Sequence, residues 1–299
     1  MSVIATLPGP TTQGERKAPW NRFGPGGLSS ARRTICNIRH ALKLTALVLL
    51  LGAIATTVLV SMRHPSLSRI WDADVRVLAG VEFPGNGSVH LTNIRDWSYT
   101  QDSVVSKRYF DASFDPQDIV DLWMYEQQLD DVGLIAHTFL VFEFDESHGR
   151  SKYLGLSVET RRESGEQFSL IGGMLRSFEV THIWATEADL VTRRVELLDY
   201  PLTRYRLDIP EQVRSRVFVK MASETADLAT APRWYNTVTN NCTSSLIRYV
   251  NESEPDAIPV HYSYVFTGKV DDYLEKLGFL DPEYSLAITR DYLAAHELR

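Results

Sequence analysis

The sequence predicts an α+β domain, built from an antiparallel sheet with flanking helices and preceded by one transmembrane helix. Three observations favour this fold class. A long uncharged apolar run lies near the N-terminus, β-rich segments surround a polar turn in the middle of the chain, and amphipathic helical segments fill much of the last third. The 299 residues are enough for one sizeable core.

The apolar run covers residues 44–62, LTALVLLLGAIATTVLVSM, and contains no charged residue. About 20 apolar residues span the hydrocarbon core of a bilayer as a helix. A cleaved signal peptide is the alternative, but its apolar core is shorter, and the SMRHPS that follows is a poor cleavage site. We therefore predict an uncleaved anchor in the cytoplasmic (inner) membrane, crossing it once.

Charge is distributed unevenly along the chain. Residues 1–43 hold seven Lys or Arg against one acidic residue, so the rest of the chain has a net charge of −13 where the whole has −7. The basic, Pro- and Gly-rich segment 1–43 is predicted to be a disordered cytoplasmic tail, which places residues 63–299 in the periplasm. An acidic body excludes a nucleic-acid partner. The predicted partner is the lipid bilayer, and the oligomeric state stays open.

Residues 72–79 and 89–99 are predicted to be extended, with a Gly- and Pro-rich turn at 83–87 between them. Residues 115–129, DPQDIVDLWMYEQQL, are predicted to form a helix because their first turn is acidic and their apolar residues are closely spaced.

A hairpin is predicted from the β-rich segments 135–144 and 153–160, which surround the polar turn 145–150. If the hairpin closes around residue 148, residue i lies opposite residue 296 − i. Its register then places His137 opposite Glu159.

The remaining segments mix strand, turn and helix signals. Residues 168–184 and 189–198 carry strand and turn signals, interrupted at Gly172 and Gly173. Four segments are predicted to be helical: 211–226, 243–250, 270–277 and 282–298.

Two cysteines occur, one on each side of the apolar run. Cys36 and Cys242 therefore lie on opposite sides of the membrane and cannot pair within one chain. Cys242 follows a polar loop and begins a predicted helix, where the dipole and free N–H groups stabilise a thiolate. A helix N-terminus that merely contains a cysteine is the alternative, since Asn, Thr and Ser around it also suit capping.

His137 opens the apolar strand HTFLVFEF and is the predicted general base for Cys242. Glu159 would orient its ring as the third member of a triad. Ser157 and Arg161 lie two positions away on the same face and are the substitutes if the register slips. A satisfied strand-end histidine and a solvated glutamate are the alternatives.

No nucleotide or zinc signature is present in the sequence, and we predict no cofactor and no metal. The one metal alternative combines His182, near Glu179 and Glu187, with His90 or His261, but nothing in their spacing requires it.

Five ordered blocks carry a resemblance to a known family: IRDWSYT, GLIAHTFLVFEF, LGLSVETRRESGEQFS, FEVTHIWATEADLVTRRVELLDYPL and PRWYNTVTNNCTSSL. Over residues 93–245 the sequence resembles the periplasmic domain of the Lnb-type lipoprotein intramolecular transacylases. The resemblance implies a circularly permuted papain-like (NlpC-type) domain, in which the histidine strand precedes the cysteine helix, as His137 precedes Cys242 here.

The resemblance also implies acyl transfer, with Cys242 matching the family's cysteine and His137 its histidine. A lipoprotein or phospholipid would donate the acyl group, which would form a thioester with Cys242. By position, the backbone N–H of Cys242 with Asn241 or Asn236 would stabilise the oxyanion.

One departure from the family bears on the substrate. The resembling transacylases carry several further membrane helices after this domain, whereas this sequence has one, before it. Thiol chemistry is therefore implied more directly than lipoprotein transacylation. Two other functions stay open: an NlpC-type cell-wall amidase or peptidase, and a noncatalytic membrane-tethered binding domain.

Overall fold

The computed structural model describes residues 26–148 and 151–296, which form two compact units divided after Met62. The described part of the first unit is the helix α1 (Gly26–Ser61). Its stretch Ile35–Ser61 is long and apolar enough to cross a membrane. Much of the predicted disordered tail, residues 1–25, lies outside the described residues. Residues 26–43 of that tail are helical, in keeping with their content of Ala, Leu, Arg and Lys.

The second unit is built on one nine-stranded sheet. Its strands are β1 (Gly80–Glu82), β2 (Val89–Tyr99), β3 (Val104–Phe114), β4 (Ile119–Gln128), β5 (Ala136–His148), β6 (Ser151–Arg161), β7 (Glu179–Thr186), β8 (Leu202–Leu207) and β9 (Leu280–Ile288). The spatial order is β1-β2-β7-β6-β5-β4-β8-β9, and β3 pairs with β2. All pairs are antiparallel except β2 with β7, so the predicted antiparallel sheet is confirmed apart from that one parallel contact.

Helices accompany the sheet, as the sequence predicts for an α+β domain. They are α2 (Leu170–Met174), α3 (Glu187–Thr192), α4 (Glu211–Thr230), α5 (Cys242–Ser253), α6 (Val270–Lys276) and α7 (Arg290–Ala295). The helices α4, α5 and α6 share an apolar core with the sheet, and α3 and α7 share a second, smaller one. Alternate residues of β5 enter the two cores: Leu140 and Phe142 the first, Phe139 and Val141 the second. Both faces of the central strands are therefore buried.

The register of the predicted hairpin is confirmed, but residues 145–148 of its predicted turn 145–150 belong to β5, and residues 149 and 150 lie outside the described residues. β5 pairs with β6 antiparallel, and the partners Phe139 and Ser157, or Glu143 and Tyr153, follow the predicted sum of 296. β-Branched and aromatic residues on both strands suit a pleated surface. Because the side-chain period is two, this register also decides which polar side chains share a face.

The helix predicted for residues 115–129 is wrong. Asp115 accepts a hydrogen bond from the Gln117 N–H and caps a single 3₁₀ turn, after which the chain continues as β4. Asp115 is indeed a helix cap, but the helix that it caps is the single 3₁₀ turn Pro116–Asp118. Because β4 is buried on both faces, its apolar residues do not alternate cleanly and resemble a helical pattern.

Two further predictions at the ends of the domain are corrected. Residues 72–79 form turns and irregular structure, and the short strand β1 follows them. Residues 282–288 are not helical, because they belong to β9, which pairs with β8 at the sheet edge, where Pro282 is tolerated. Among the described residues of the helix predicted for 282–298, α7 alone is helical, and residues 297 and 298 lie outside the described part.

The segment 168–198 combines a correct and a wrong prediction. β7 begins within the strand and turn region predicted for 168–184 and ends at Thr186, but α2 also lies in that region. Residues 189–197, predicted to be strand and turn, are helical, in α3 and the π-helical turn Arg193–Leu197. The Thr186 hydroxyl accepts from the Asp189 N–H at 3.2 Å and caps α3. Ser or Thr three residues before an acidic residue is a helix-start signal, and it is present here as Thr-Glu-Ala-Asp.

The other helices are confirmed. α4 contains the predicted 211–226 and ends at Thr230, before the predicted break at Ala231 and Pro232. α5 contains the predicted 243–250 and begins at Cys242, and α6 corresponds to 270–277.

Candidate active site

Cys242 is the first residue of α5 and lines a cleft of about 730 Å³. The preceding residue, Asn241, caps the helix: its side chain accepts from the Ser244 N–H at 2.8 Å, and the Ser244 hydroxyl accepts from the Asn241 N–H at 2.9 Å. This capping box leaves the N–H groups of Cys242 and Thr243 as the uncapped donors of the first turn.

His137 lies on β5, just beyond the point where the pairing of β5 with β6 ends. The two strands pair from Phe139 and Ser157 onward, and His137 precedes that point. The N-terminus of α5 enters here, and the hydroxyls of Thr138 and Thr243 lie 3.2 Å apart. Side chains from β5 and from α5 therefore meet at the end of the ladder, which brings His137 and Cys242 together.

The thiol and the imidazole shift each other's pKa. Burial disfavours the thiolate, but the His137 charge and hydrogen bonds from His137 and the Thr138 N–H lower the pKa of Cys242 below its ordinary value. Burial also disfavours the imidazolium, but Glu159 and Cys242 raise the pKa of His137 to about 9. Each charged form therefore stabilises the other, which favours a thiolate–imidazolium pair.

Glu159 and Ser157 both contact Nε2 of the His137 imidazole. The Ser157 hydroxyl donates to Glu159 Oε1 at 2.8 Å, so it accepts the proton on His137 Nε2, also 2.8 Å away. Glu159 Oε1 itself lies 3.3 Å from Nε2. This arrangement fixes a proton on Nε2 and leaves Nδ1 as the nitrogen for the thiol.

The sequence did not predict a role for Arg194 at this site. Its guanidinium is 1% exposed and donates to Ser157 Oγ at 3.0 Å and to Glu159 Oε1 at 2.9 Å. Burial opposes ionisation of Glu159, but His137 and Arg194 hold the pKa of this carboxyl well below its usual range. Glu159 is therefore a permanent anion that faces two cations, as the orienting carboxylate of a triad must be.

Glu159→Gln is expected to lower the pKa of His137 from its value of about 9, because the carboxylate charge is the largest influence that raises it. Titration of the His137 ring by NMR measures this shift. Glu163→Gln is the matched control, since Glu163 pairs with Arg69 away from the imidazole. An unchanged His137 titration in the Glu159 variant would show that the carboxylate does not act on the ring.

The two asparagines predicted as oxyanion donors are placed differently. The side-chain amide of Asn241 donates to the carbonyls of Thr237 and Tyr264, at 2.8 and 2.7 Å, and its oxygen serves the cap. The Asn236 oxygen accepts from two N–H groups of its own turn, both at 2.9 Å. Both side chains therefore shape the loop before Cys242 through hydrogen bonds to its backbone.

Another buried carboxyl, Glu126, lies behind the site. It is the cross-strand partner of Thr138 and is 1% exposed. Burial, with the nearby Asp271 and Asp272, raises the pKa of Glu126 to about 8, so the carboxyl is mostly protonated at neutral pH. A neutral group here does not oppose a thiolate on Cys242.

His182, the histidine of the alternative metal site, contacts hydroxyl groups. His182 is buried, with its ring nitrogens 2.8 Å from the Thr225 hydroxyl and 3.0 Å from that of Tyr249. Glu179 lies with Arg69, and Glu187 contacts Tyr125. Among the described residues, no three His, Cys, Asp or Glu side chains are arranged to hold a metal ion. Cys36 lies on α1, in the other unit.

Comparison with protein families gives one match. The family model described as the Lnb N-terminal periplasmic domain matches residues 106–268, which is more than half of the chain and includes His137, Glu159 and Cys242. No curated protein and no solved structure matches. The chain therefore belongs to the family of the Lnb N-terminal periplasmic domain.

Proposed function

We propose that this protein is a membrane-anchored, periplasmic thiol enzyme that moves an acyl group through a thioester on Cys242. The observation that carries the proposal is the charge-coupled pair of Cys242 and His137, with Glu159 behind the imidazole. A lowered thiol pKa beside a histidine is the arrangement that nucleophilic cysteines need. The pair lines a cleft that is open to a substrate.

The reaction follows from the positions of these groups. The Cys242 thiolate attacks the carbonyl carbon of an ester, and the N–H groups of Cys242 and Thr243 stabilise the oxyanion. The carbon–oxygen bond breaks, the leaving alkoxide takes a proton from the His137 imidazolium, and an acyl thioester remains. An amine or water then attacks the thioester, gives its proton to neutral His137 and restores the thiolate–imidazolium pair.

The apolar part of the cleft lining suits a lipid acyl donor. Several of its side chains are apolar or aromatic, among them Leu129, Ile135, Phe168, Leu170, Leu198, Tyr200 and Val265. Membership of the Lnb family supports the same choice, with a lipoprotein or phospholipid as donor. An NlpC-type amidase acting on a peptide remains the second enzymatic candidate, because the same dyad cleaves amides.

The proposed topology places α1 across the cytoplasmic membrane once. Residues 1–43 would be the cytoplasmic tail, 44–62 the span and 63–299 the periplasmic domain. The apolar stretch Ile35–Ser61 and the periplasmic family support this arrangement. A permuted papain-like fold is supported by the order of the site, in which the histidine strand β5 precedes the cysteine helix α5.

Trapping the acyl-enzyme tests the proposed function. The full chain in nanodiscs is mixed with a diacyl phospholipid or a diacylated lipopeptide, quenched in acid and measured by intact mass. We expect the mass to rise by one acyl group on Cys242, and we expect an added amine to discharge it as an amide. If only a peptidoglycan peptide reacts, the amidase function replaces the acyltransferase. If neither reacts, the noncatalytic binding domain is supported.

A further inference from the structure

A compact group of apolar side chains is exposed on and beside α2. The α2 patch consists of Phe168, Leu170, Ile171, Met174 and Leu175, which are between 37% and 66% exposed. Single exposed apolar residues are ordinary on protein surfaces, but five of them within eight consecutive residues form a local apolar surface. Such surfaces mark contacts with a partner or a membrane.

The first residues of the second unit contact this patch. Arg63 follows the end of α1 by two residues, and its guanidinium donates to the carbonyls of Leu175 and Arg176, at 3.2 and 3.4 Å. The Ser66 N–H then donates to Glu179 at 3.0 Å, just after the patch. The second unit therefore begins with residues that contact the α2 patch and the residues just after it.

Charge at this point suits an anionic membrane surface. Arg63 and Arg176 flank the patch, and among the residues that the structure describes neither forms an ion pair with a carboxylate. This contrasts with the acidic charge of the chain after residue 43. Arginines beside an apolar surface favour binding to a bilayer that contains anionic lipids.

The patch is continuous with the mouth of the cleft. Phe168 and Leu170 also line the cleft that contains Cys242. The Thr237 hydroxyl donates to the Leu170 carbonyl at 2.8 Å, which brings the exposed Val238, in the loop before Cys242, beside α2. A molecule bound at the α2 patch is therefore next to the cleft that contains Cys242.

We propose that the α2 patch docks into the lipid bilayer surface, with its apolar side chains below the headgroups and Arg63 and Arg176 at headgroup level. Docking would hold the cleft mouth against the membrane, so that an acyl ester enters without crossing water. The inference rests on the proposed function, which supplies the membrane anchor and the lipid substrate.

Depth-dependent fluorescence quenching tests this docking. A dye that is sensitive to its environment is attached at Ile171→Cys, in the full chain carrying Cys36→Ser and Cys242→Ser, in vesicles of phosphatidylethanolamine and phosphatidylglycerol. Nitroxides on the lipid acyl chains should quench the dye about threefold or more compared with the control, because docked apolar faces lie below the headgroups. The matched control is Val105→Cys on β3, which is 64% exposed against 66% for Ile171.

Equal quenching at both positions, or none at position 171, would overturn the proposal. Ile171→Asp in the chain with both native cysteines separates docking from chemistry. We expect alkylation of Cys242 by a water-soluble electrophile to stay unchanged in this variant, while acylation from vesicle lipid falls about tenfold, since a charge opposes burial below the headgroups. An equal loss of both reactions, or a loss of neither, would contradict docking.

Discussion

Replacing Cys242 with alanine is expected to abolish acyl-enzyme formation and to lower the rate of ester cleavage by about 10⁴-fold or more, as loss of a nucleophile does. The Ser157 hydroxyl does not take over as nucleophile, since it gives its proton to Glu159 and accepts a hydrogen bond from Arg194. Intact mass and the rate of release of the leaving alcohol measure both effects.

Two controls make this result specific. Cys36→Ala removes the other cysteine of the chain and should leave the rate unchanged, because Cys36 belongs to α1. Cys242→Ser keeps the size of the buried side chain, and circular dichroism reports whether either variant still folds. Full activity in a folded Cys242→Ala protein would exclude thioester chemistry.

Replacing His137 with glutamine is expected to lower the acylation rate by about 10²- to 10⁴-fold, the range attributed to general acid–base groups. Two functions disappear together: the proton for the leaving group and the positive charge that lowers the pKa of Cys242. His90→Gln is the matched control, because this histidine contacts Ser113 on the pair of β2 and β3 and plays no part in the site.

The direction in which the acylation rate changes with pH follows from the pKa shifts of Cys242 and His137. As pH rises, the rate should first increase while Cys242 ionises, below the ordinary pKa of a thiol. The rate should then fall as pH rises through about 9, where the His137 imidazolium loses the proton that the leaving alkoxide needs. A rate in His137→Gln that equals the wild-type rate at every pH would contradict a role for this histidine.

Much of the candidate site could be predicted because its signals are local. The polar turn between two β-rich segments set the hairpin and, through the period of two, placed His137 and Glu159 on one face. The Asn241 cap marked the start of α5 and hence the position of Cys242. These relations depend on neighbouring residues or on a single turn.

Other parts depend on contacts that are distant in sequence. β4 was predicted as a helix because the layers that cover both its faces come from later in the chain. Arg194 reaches Glu159 only once the π-helical turn after α3 packs against β6, and no motif announces that contact. The Thr186 cap was the one local signal that would have revealed α3.

The most direct test of an activated Cys242–His137 pair is the pH dependence of Cys242 alkylation by iodoacetamide, measured in the wild type and in His137→Gln. Alkylation of Cys36 in the same chain is the internal reference. Because the charge of His137 lowers the pKa of Cys242, the wild-type thiol should reach half-maximal reactivity at lower pH than in the variant. Equal midpoints in both proteins, at the value for an ordinary thiol, would contradict an activated Cys242–His137 pair.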